Sequence, residues 1–337
     1  MRPLTIAIPT YNRAGKVERL LDELTRQIRQ DNLQEEIEVL VSDNASTDNT
    51  EELTARYQGT DVVVGYIRQP TNLGFDGNLL SLYRRAKTRH IWWMGSDDFP
   101  VAGMMKRILE VLKHEDPDML SGSFRQPHTG KVFNFDSPVF LVSDPRQCIE
   151  YLSMQQKISS QVLRRVDLEE SELELLEAGR GDGWMHFALA FTVLGRSGAP
   201  RLALISDYVG VCDEDYKILD WTPIYYLQMH KAMRHPFVAK SCPELEEKIR
   251  TSGYRTAIGL CFAVMTGRFS ARSPEDYDRF VRDLDWRPGL LLADPGILLR
   301  FAAIKSGAAE HMRPLTRHLM PRLRRTKSVV SSWFKSR

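Results

Sequence analysis

The chain has 337 residues, 42% of them hydrophobic and 27% charged, with a formal net charge of +2. That length accommodates one large domain with an appendage or two modest ones. The composition excludes a disordered chain, and no apolar run reaches the roughly 18 residues a membrane span needs. The small net charge hides a division, because Met312 to Arg337 carries eight Lys/Arg and no acid, leaving +8 on the tail and −6 on the rest.

Taken in chain order, the first half alternates short apolar runs with helical spacing, the pattern of an α/β sheet. Thr5 to Pro9 predicts a strand that ends in Thr10-Tyr11-Asn12-Arg13, and Val17, Leu20, Leu21, Leu24 and Ile28 predict a helix from Lys16 to Arg29. Ile37 to Val41 predicts a second strand closed by Ser42-Asp43-Asn44-Ala45-Ser46. Asp48 and Glu51 then stand at capping-box spacing before another helix. Val62 to Arg68 predicts a third strand, Asn72 to Asn78 a glycine-containing loop, and Leu79 to Lys87 a helix. His90 to Met94 predicts a fourth strand closed by Gly95-Ser96-Asp97-Asp98, with Pro100 suited to the first turn of the next helix. Polar loops thus follow three strands at their C-terminal ends, and in a parallel sheet those ends share one edge, where ligands bind.

Further on, strands are expected at Met119 to Phe124, Lys131 to Phe135 and Leu202 to Val211. Pro145 to Leu163 is amphipathic, a helix is expected from Trp184 to Leu194, and helical signals dominate from about Trp221. Cys148, Cys212, Cys242 and Cys261 lie far apart without CxxC spacing, so they read as reduced, packed thiols. With a strand at the N-terminus and no apolar leader pattern, a cytoplasmic location is expected.

Four segments recur in a telling order: Ile8-Pro9-Thr10-Tyr11-Asn12-Arg13, Val41-Ser42-Asp43-Asn44-Ala45-Ser46-Thr47-Asp48, Asn72-Leu73-Gly74-Phe75-Asp76-Gly77-Asn78 and Trp93-Met94-Gly95-Ser96-Asp97-Asp98. Together they resemble glycosyltransferase family 2, in its abequosyltransferase-type flavour, over roughly residues 3 to 210. The resemblance implies a GT-A fold, a Rossmann-like and mostly parallel central sheet with helices on both faces, followed by a mainly helical C-terminal region. It also implies inverting transfer of a sugar from a nucleotide-diphosphate donor, with Mn2+ or Mg2+, to a hydroxyl of a growing, lipid-linked bacterial surface glycan.

Residue by residue, the resemblance gives Asp98 to the metal and Asp97 to the donor ribose. Paired carboxylates suit a hard cation that takes its other ligands from phosphate and water; the structural alternative is Asp98 capping a helix near Pro100. Asp43 would accept from the donor base, with Pro9, Thr10 and Tyr11 beside it supplying a backbone contact and an aromatic face; an Asx-turn and core packing are the alternatives. Asn72, Gly74, Gly77 and Asn78 would turn amides toward the diphosphate and Arg13 would offset its charge, unless they form an ordinary loop and a solvated arginine. The base that inversion requires matches Asp182 in Gly181-Asp182-Gly183, where the family's Glu-Asp pair reads Gly-Asp, and an N-cap is its other reading. Trp184 would be an acceptor-sugar platform and His186 a metal or phosphate contact, with a structural role the alternative for the histidine.

The expected domains are 1–215 for nucleotide-sugar binding and catalysis, 216–311 for a helical region, and 312–337 for a basic amphipathic tail. In that tail Leu323, Val330, Trp333 and Phe334 share a helical face flanked by Arg324, Arg325, Lys327 and Lys335, a pattern suited to the inner leaflet of an anionic membrane. Two rivals remain: an inactive glycosyltransferase-like scaffold in a polysaccharide assembly complex, and a nucleotidyltransferase, which would need a first loop richer in Gly, Arg and Lys. Nucleic-acid binding has no reading motif behind it.

Overall fold

The computed structural model describes residues 2–125, 130–155, 157–212, 229, 231–265 and 295–305. Contacts divide the chain into two units, Met1–Tyr216 with Met229–Glu246, and Lys217–Gln228 with Glu247–Arg337. Tyr216, Lys217, Trp221 and the tail from Met312 lie outside the described residues. The first unit thus takes in Met229–Glu246, beyond the boundary expected at 215.

The first unit is built on a nine-stranded sheet of order β3-β2-β1-β4-β8-β6-β9-β5, with β7 paired to β9. The strands are β1 (Leu4–Thr10), β2 (Ile37–Asp43), β3 (Val63–Arg68), β4 (His90–Trp93), β5 (Asp98–Pro100), β6 (Met119–Arg125), β7 (Val139–Val142), β8 (Gln161–Arg164) and β9 (Leu202–Cys212). Strand β1, Leu-Thr-Ile-Ala-Ile-Pro-Thr, is apolar on both faces and almost wholly buried, as a central parallel strand must be. Helix α1 (Ala14–Gln30) covers one face with Val17, Leu20, Leu21, Leu24 and Ile28, all buried at the spacing of one helical stripe. Each such leucine contributes about 2 kcal/mol of burial, and truncating one to alanine costs about 2–5 kcal/mol once the cavity is included.

Helices α2 (Thr50–Ala55), α3 (Gly74–Arg85), α4 (Met104–Glu115), α5 (Pro145–Met154), α6 (Glu170–Ala178), α7 (Met185–Arg196) and α8 (Pro236–Ser241) complete this unit. Helix α9 (Leu245–Met265) enters the second unit, to which α10 (Pro295–Lys305) also belongs. Among the described residues no helix is long and apolar enough to cross a membrane. Cys148, Cys212 and Cys242 are buried and unbridged.

Several expectations change. The sheet is mixed: β3-β2-β1-β4 are parallel, as are β6 and β9, but β8 runs antiparallel between β4 and β6, and β5 and β7 run antiparallel to β9. Apolar runs report burial; direction is set by the connections, which composition does not encode. Pro100 closes strand β5 opposite Gly210 instead of opening a helix, because the turn to α4 runs through Gly103 at φ +74°. Asp98 is therefore a strand residue and caps no helix. The loop expected from Asn72 to Asn78 is mostly the first turn of α3. The strand expected at Lys131 to Phe135 is irregular chain, and Val139–Val142 pairs in its place.

Candidate active site

Parallel pairing puts Thr10 beside Asp43 and Asp43 beside Arg68, while Ala7 lies beside Trp93, so the loops after β1, β2 and β4 leave one edge of the sheet. Their backbones are stitched together. Asn44 N donates to Thr10 O at 2.9 Å, Asn12 N to Ser46 Oγ at 2.8 Å, and Thr47 N to Asn12 Oδ1 at 2.8 Å. Asn12 takes φ +50° and Ala45 φ +62° to make these tight reversals. Asp48, expected as a cap, serves two helices, accepting from Ala14 N at 2.9 Å and from Thr50 Oγ1 at 2.5 Å. The box with Glu51 does not form, since α2 starts at Thr50 after Asn49 with no side-chain cap.

Asp43 is fully buried. Its Oδ1 accepts from Ser46 N at 2.9 Å, and its Oδ2 from Tyr66 Oη at 2.6 Å and Arg68 Nη1 at 3.0 Å. Burial, together with this bond to a carboxylate, pushes the Tyr66 phenol above its ordinary value. Tyr11, on the neighbouring loop after β1, is 43% exposed, which rules out the core-packing alternative.

Asp97 and Asp98 differ sharply. Asp97 is the open member, with Arg13 Nη1 at 3.1 Å and Lys16 Nζ at 3.6 Å from Oδ2. Burial alone would raise its carboxyl, but the field of Lys157, Arg13 and Lys16 outweighs it and holds the group low. Asp98 has no exposed surface; Lys157 Nζ stands 2.9 Å from Oδ1 and Ser159 Oγ donates to Oδ2 at 2.5 Å. Burial pushes the Asp98 carboxyl up, against the pull of Lys157. Ser159 is itself held by Gly95 N, which donates to its Oγ at 2.8 Å, and by Trp92 Nε1, which donates to its carbonyl at 2.9 Å.

A Cβ on Gly95 would stand 2.7 Å from Asp98 Oδ2 and 3.2 Å from Asp97 Oδ1, so the absence of a side chain here lets both carboxylates pack close against the backbone. Among the described residues no three His, Cys, Asp or Glu side chains form a closed metal cage. Adjacent carboxylates are nevertheless the hard oxygen donors that suit an Mg2+ or Mn2+ ion drawing its remaining ligands from phosphate and water. An open depression lined by three cations, Arg13, Lys16 and Arg19, and one acid, Asp48, adjoins the pair.

The third motif behaves differently from its expectation. Asn72 and Gly74 are exposed, but Asn72 Oδ1 accepts from Asn44 Nδ2 at 2.7 Å and from Gly74 N at 2.9 Å. Asn78 is buried, and its amide is spent on Ser42, accepting from Oγ at 2.5 Å and donating to the carbonyl at 3.0 Å. Gly77 is needed for the close approach of Arg180 Nη2, 2.6 Å from where its Cβ would lie. Asn78 and Gly77 therefore build the wall and do not line the opening.

Asp182 lies between Gly181 at φ +92° and Gly183 at φ +79°, just before α7, with its Oδ1 2.7 Å from Lys231 Nζ. Trp184 and His186 lie in the interior. They are 3% and 1% exposed, and their rings pack on each other and on Phe187 in the core, so neither offers a face to an acceptor. Sequence reasoning missed Lys157, Ser159, Tyr66, Arg68, Asn44, Asp76 and Lys231. The only advance signal for the last was a lone lysine in a helical stretch.

The family model for glycosyl transferase family 2 matches residues 5–163. The abequosyltransferase RfbV of Salmonella typhimurium is 38% identical over 96 residues, 28% of this chain and 28% of that protein. The glycosyltransferase GlyG of Streptococcus pneumoniae is 22% identical over 162 residues, 47% of this chain and 50% of its own. The matches thus span from about a quarter to half of these relatives' length. Residues 1–349 of S. aureus TarS, solved in complex with UDP-GlcNAc, superpose with a TM-score of 0.59 at 14% identity, covering 92% of each chain. The fold is the GT-A fold.

Proposed function

We propose, from the premise that residues 5–163 are a glycosyl transferase family 2 domain, that this chain transfers a sugar with inversion from a nucleotide-diphosphate donor to a hydroxyl of a growing, lipid-linked bacterial surface glycan. One observation carries the reading: the adjacent carboxylates Asp97 and Asp98 pack against Gly95, with Arg13 and Lys16 on Asp97, on the edge that also bears Asp43 and Tyr11. That combination suits a base, a ribose and a diphosphate laid along one rim.

In this reading Tyr11 stacks on the base, and Asp43 accepts from it through the one of about four lone-pair positions that its three protein donors leave unspent. Asp97 takes the ribose hydroxyls while Arg13 and Lys16 face the phosphates. A divalent cation, Mn2+ or Mg2+, held by Asp98 with Asp97, would supply charge neutralisation to the departing diphosphate. Asp182 accepts the proton of the acceptor hydroxyl as that oxygen bonds to the anomeric carbon and the bond to the diphosphate breaks. Lys231 fixes the carboxylate's direction through Oδ1, leaving Oδ2 for the proton.

The test is a thermal-shift screen of UDP, GDP, CDP and dTDP with and without Mn2+. A diphosphate at 100 times its Kd stabilises the fold by about 2.7 kcal/mol, and one of the four should do so only with Mn2+. Asp98→Ala should abolish that gain. If none of the four raises the melting temperature under either condition, the reading is wrong.

A further inference from the structure

Asp76 is a buried acid that no step above uses. It lies in the first turn of α3, 2% exposed, in the same motif as Asn72 and Asn78. Its carboxylate reaches out of that motif into the loop that carries Asp182. Gly181 N and Gly183 N each donate to Oδ2 at 2.8 Å, and Met185 N donates to Oδ1 at 3.1 Å. The two glycines flank Asp182, and both sit in left-handed backbone conformations that a side chain would strain. Met185 opens α7, whose unpaired N–H groups and dipole favour an anion there.

The same N-terminal turn of α3 is also tied to the rim. Leu73 N donates to Asn44 Oδ1 at 2.8 Å, and Asn44 Nδ2 donates to Gly74 O at 3.1 Å, next to Asp43 in sequence. Arg180 Nη2 adds a bond to Leu73 O at 3.3 Å. One short helical turn therefore grips the nucleotide-side loop with its first residues and the Asp182 loop with Asp76.

We propose that Asp76 is a positioning residue for the proposed base: its carboxylate clamps the backbone on both sides of Asp182 and so fixes where the Asp182 carboxylate stands relative to the rim. The proposal rests on Asp182 as the base. Asp76 itself contacts no reacting atom. Burial keeps its carboxyl high against the pull of the three N–H groups, so these bonds run in a medium with little competing water.

Asp76→Asn keeps the shape but offers one acceptor oxygen where three donors converge. Three readouts decide the matter: calorimetric affinity for the nucleoside diphosphate retained in the screen above, hydrogen exchange at residues 181, 183 and 185, and turnover of the matching nucleotide sugar with water as acceptor. The expected result is parent affinity, faster exchange at those three amides, and kcat lower by about 100-fold, the loss that follows when a catalytic group is displaced by about 1 Å. Unchanged kcat, or affinity that falls in step with kcat, would overturn the positioning role. Asp76→Ser, which also keeps one acceptor, serves if Asp76→Asn does not fold. Asp182→Asn is measured alongside. If it turns over like the parent, the base assignment fails and takes this role with it; if it is dead while Asp76→Asn is unimpaired, the positioning role alone falls.

Discussion

Lys157 Nζ stands 2.9 Å from Asp98 Oδ1, and both side chains are withdrawn from solvent. Removing one partner of a buried pair leaves an uncompensated charge, which costs about 3 kcal/mol or more. Lys157→Met should therefore lower the unfolding free energy in urea by that amount, and Asp98→Asn introduced into the same chain should recover much of it. A double variant no more stable than Lys157→Met would show that the two side chains are not coupled.

Gly95→Ala places a methyl group 2.7 Å from Asp98 Oδ2 and 3.2 Å from Asp97 Oδ1, closer than either contact tolerates. Both carboxylates must give way. The Mn2+-dependent part of the thermal shift should vanish and turnover should drop by about 100-fold, with circular dichroism unchanged. Parent-like Mn2+ dependence would remove Gly95 from the site.

Tyr11→Ala tests stacking without touching the core, because Tyr11 is exposed. Loss of an aromatic stack of about 1 kcal/mol weakens nucleoside diphosphate binding about fivefold. Stability should stay within about 0.5 kcal/mol of the parent, as for most surface substitutions. Equal affinities would exclude Tyr11 from the base contact.

Asn78→Ala should show the reverse pattern. It removes the acceptor of the Ser42 hydroxyl and a donor to the Ser42 carbonyl inside the wall, a loss of about 1–3 kcal/mol in urea denaturation. Affinity for the diphosphate should be that of the parent. A marked fall in affinity at unchanged stability would return Asn78 to the donor contacts.

His90, buried in β4, has its pKa lowered to about 4, by burial first and by the Arg164 cation second. The unfolded chain therefore binds a proton that the folded chain refuses as pH falls from about 6.5 toward about 4, and stability is lost across that window. The full effect is about 3 kcal/mol. His90→Phe should flatten the slope of urea stability against pH between those limits, with the part due to His235, also lowered to about 4 by burial, left in place. An unchanged slope would show that His90 titrates normally.

What the sequence revealed follows from what local pattern encodes. Strands β1, β2 and β4 were legible because each is a short apolar run that stops at a polar loop, and the shared edge followed once they were taken as parallel. Pro100 misled because proline suits both a first helical turn and a strand end, and only the long-range pairing with Gly210 decides between them. Lys157 was invisible for a similar reason: a lysine declares itself a counter-ion only when the fold brings a carboxylate to it from far along the chain. Trp184 and His186 misled in the other direction, since a ring near a suspected base looks usable until packing on Phe187 closes it off.

Strand β8 enters the sheet antiparallel, wedged between β4 and β6, and the tight turn just before it brings Lys157 and Ser159 to Asp98. The counter-charge is therefore supplied by a part separate from the loops that would read the nucleotide. Swapping the few residues of that turn would change the charge set against Asp97 and Asp98 while leaving the loops after β1 and β2 untouched.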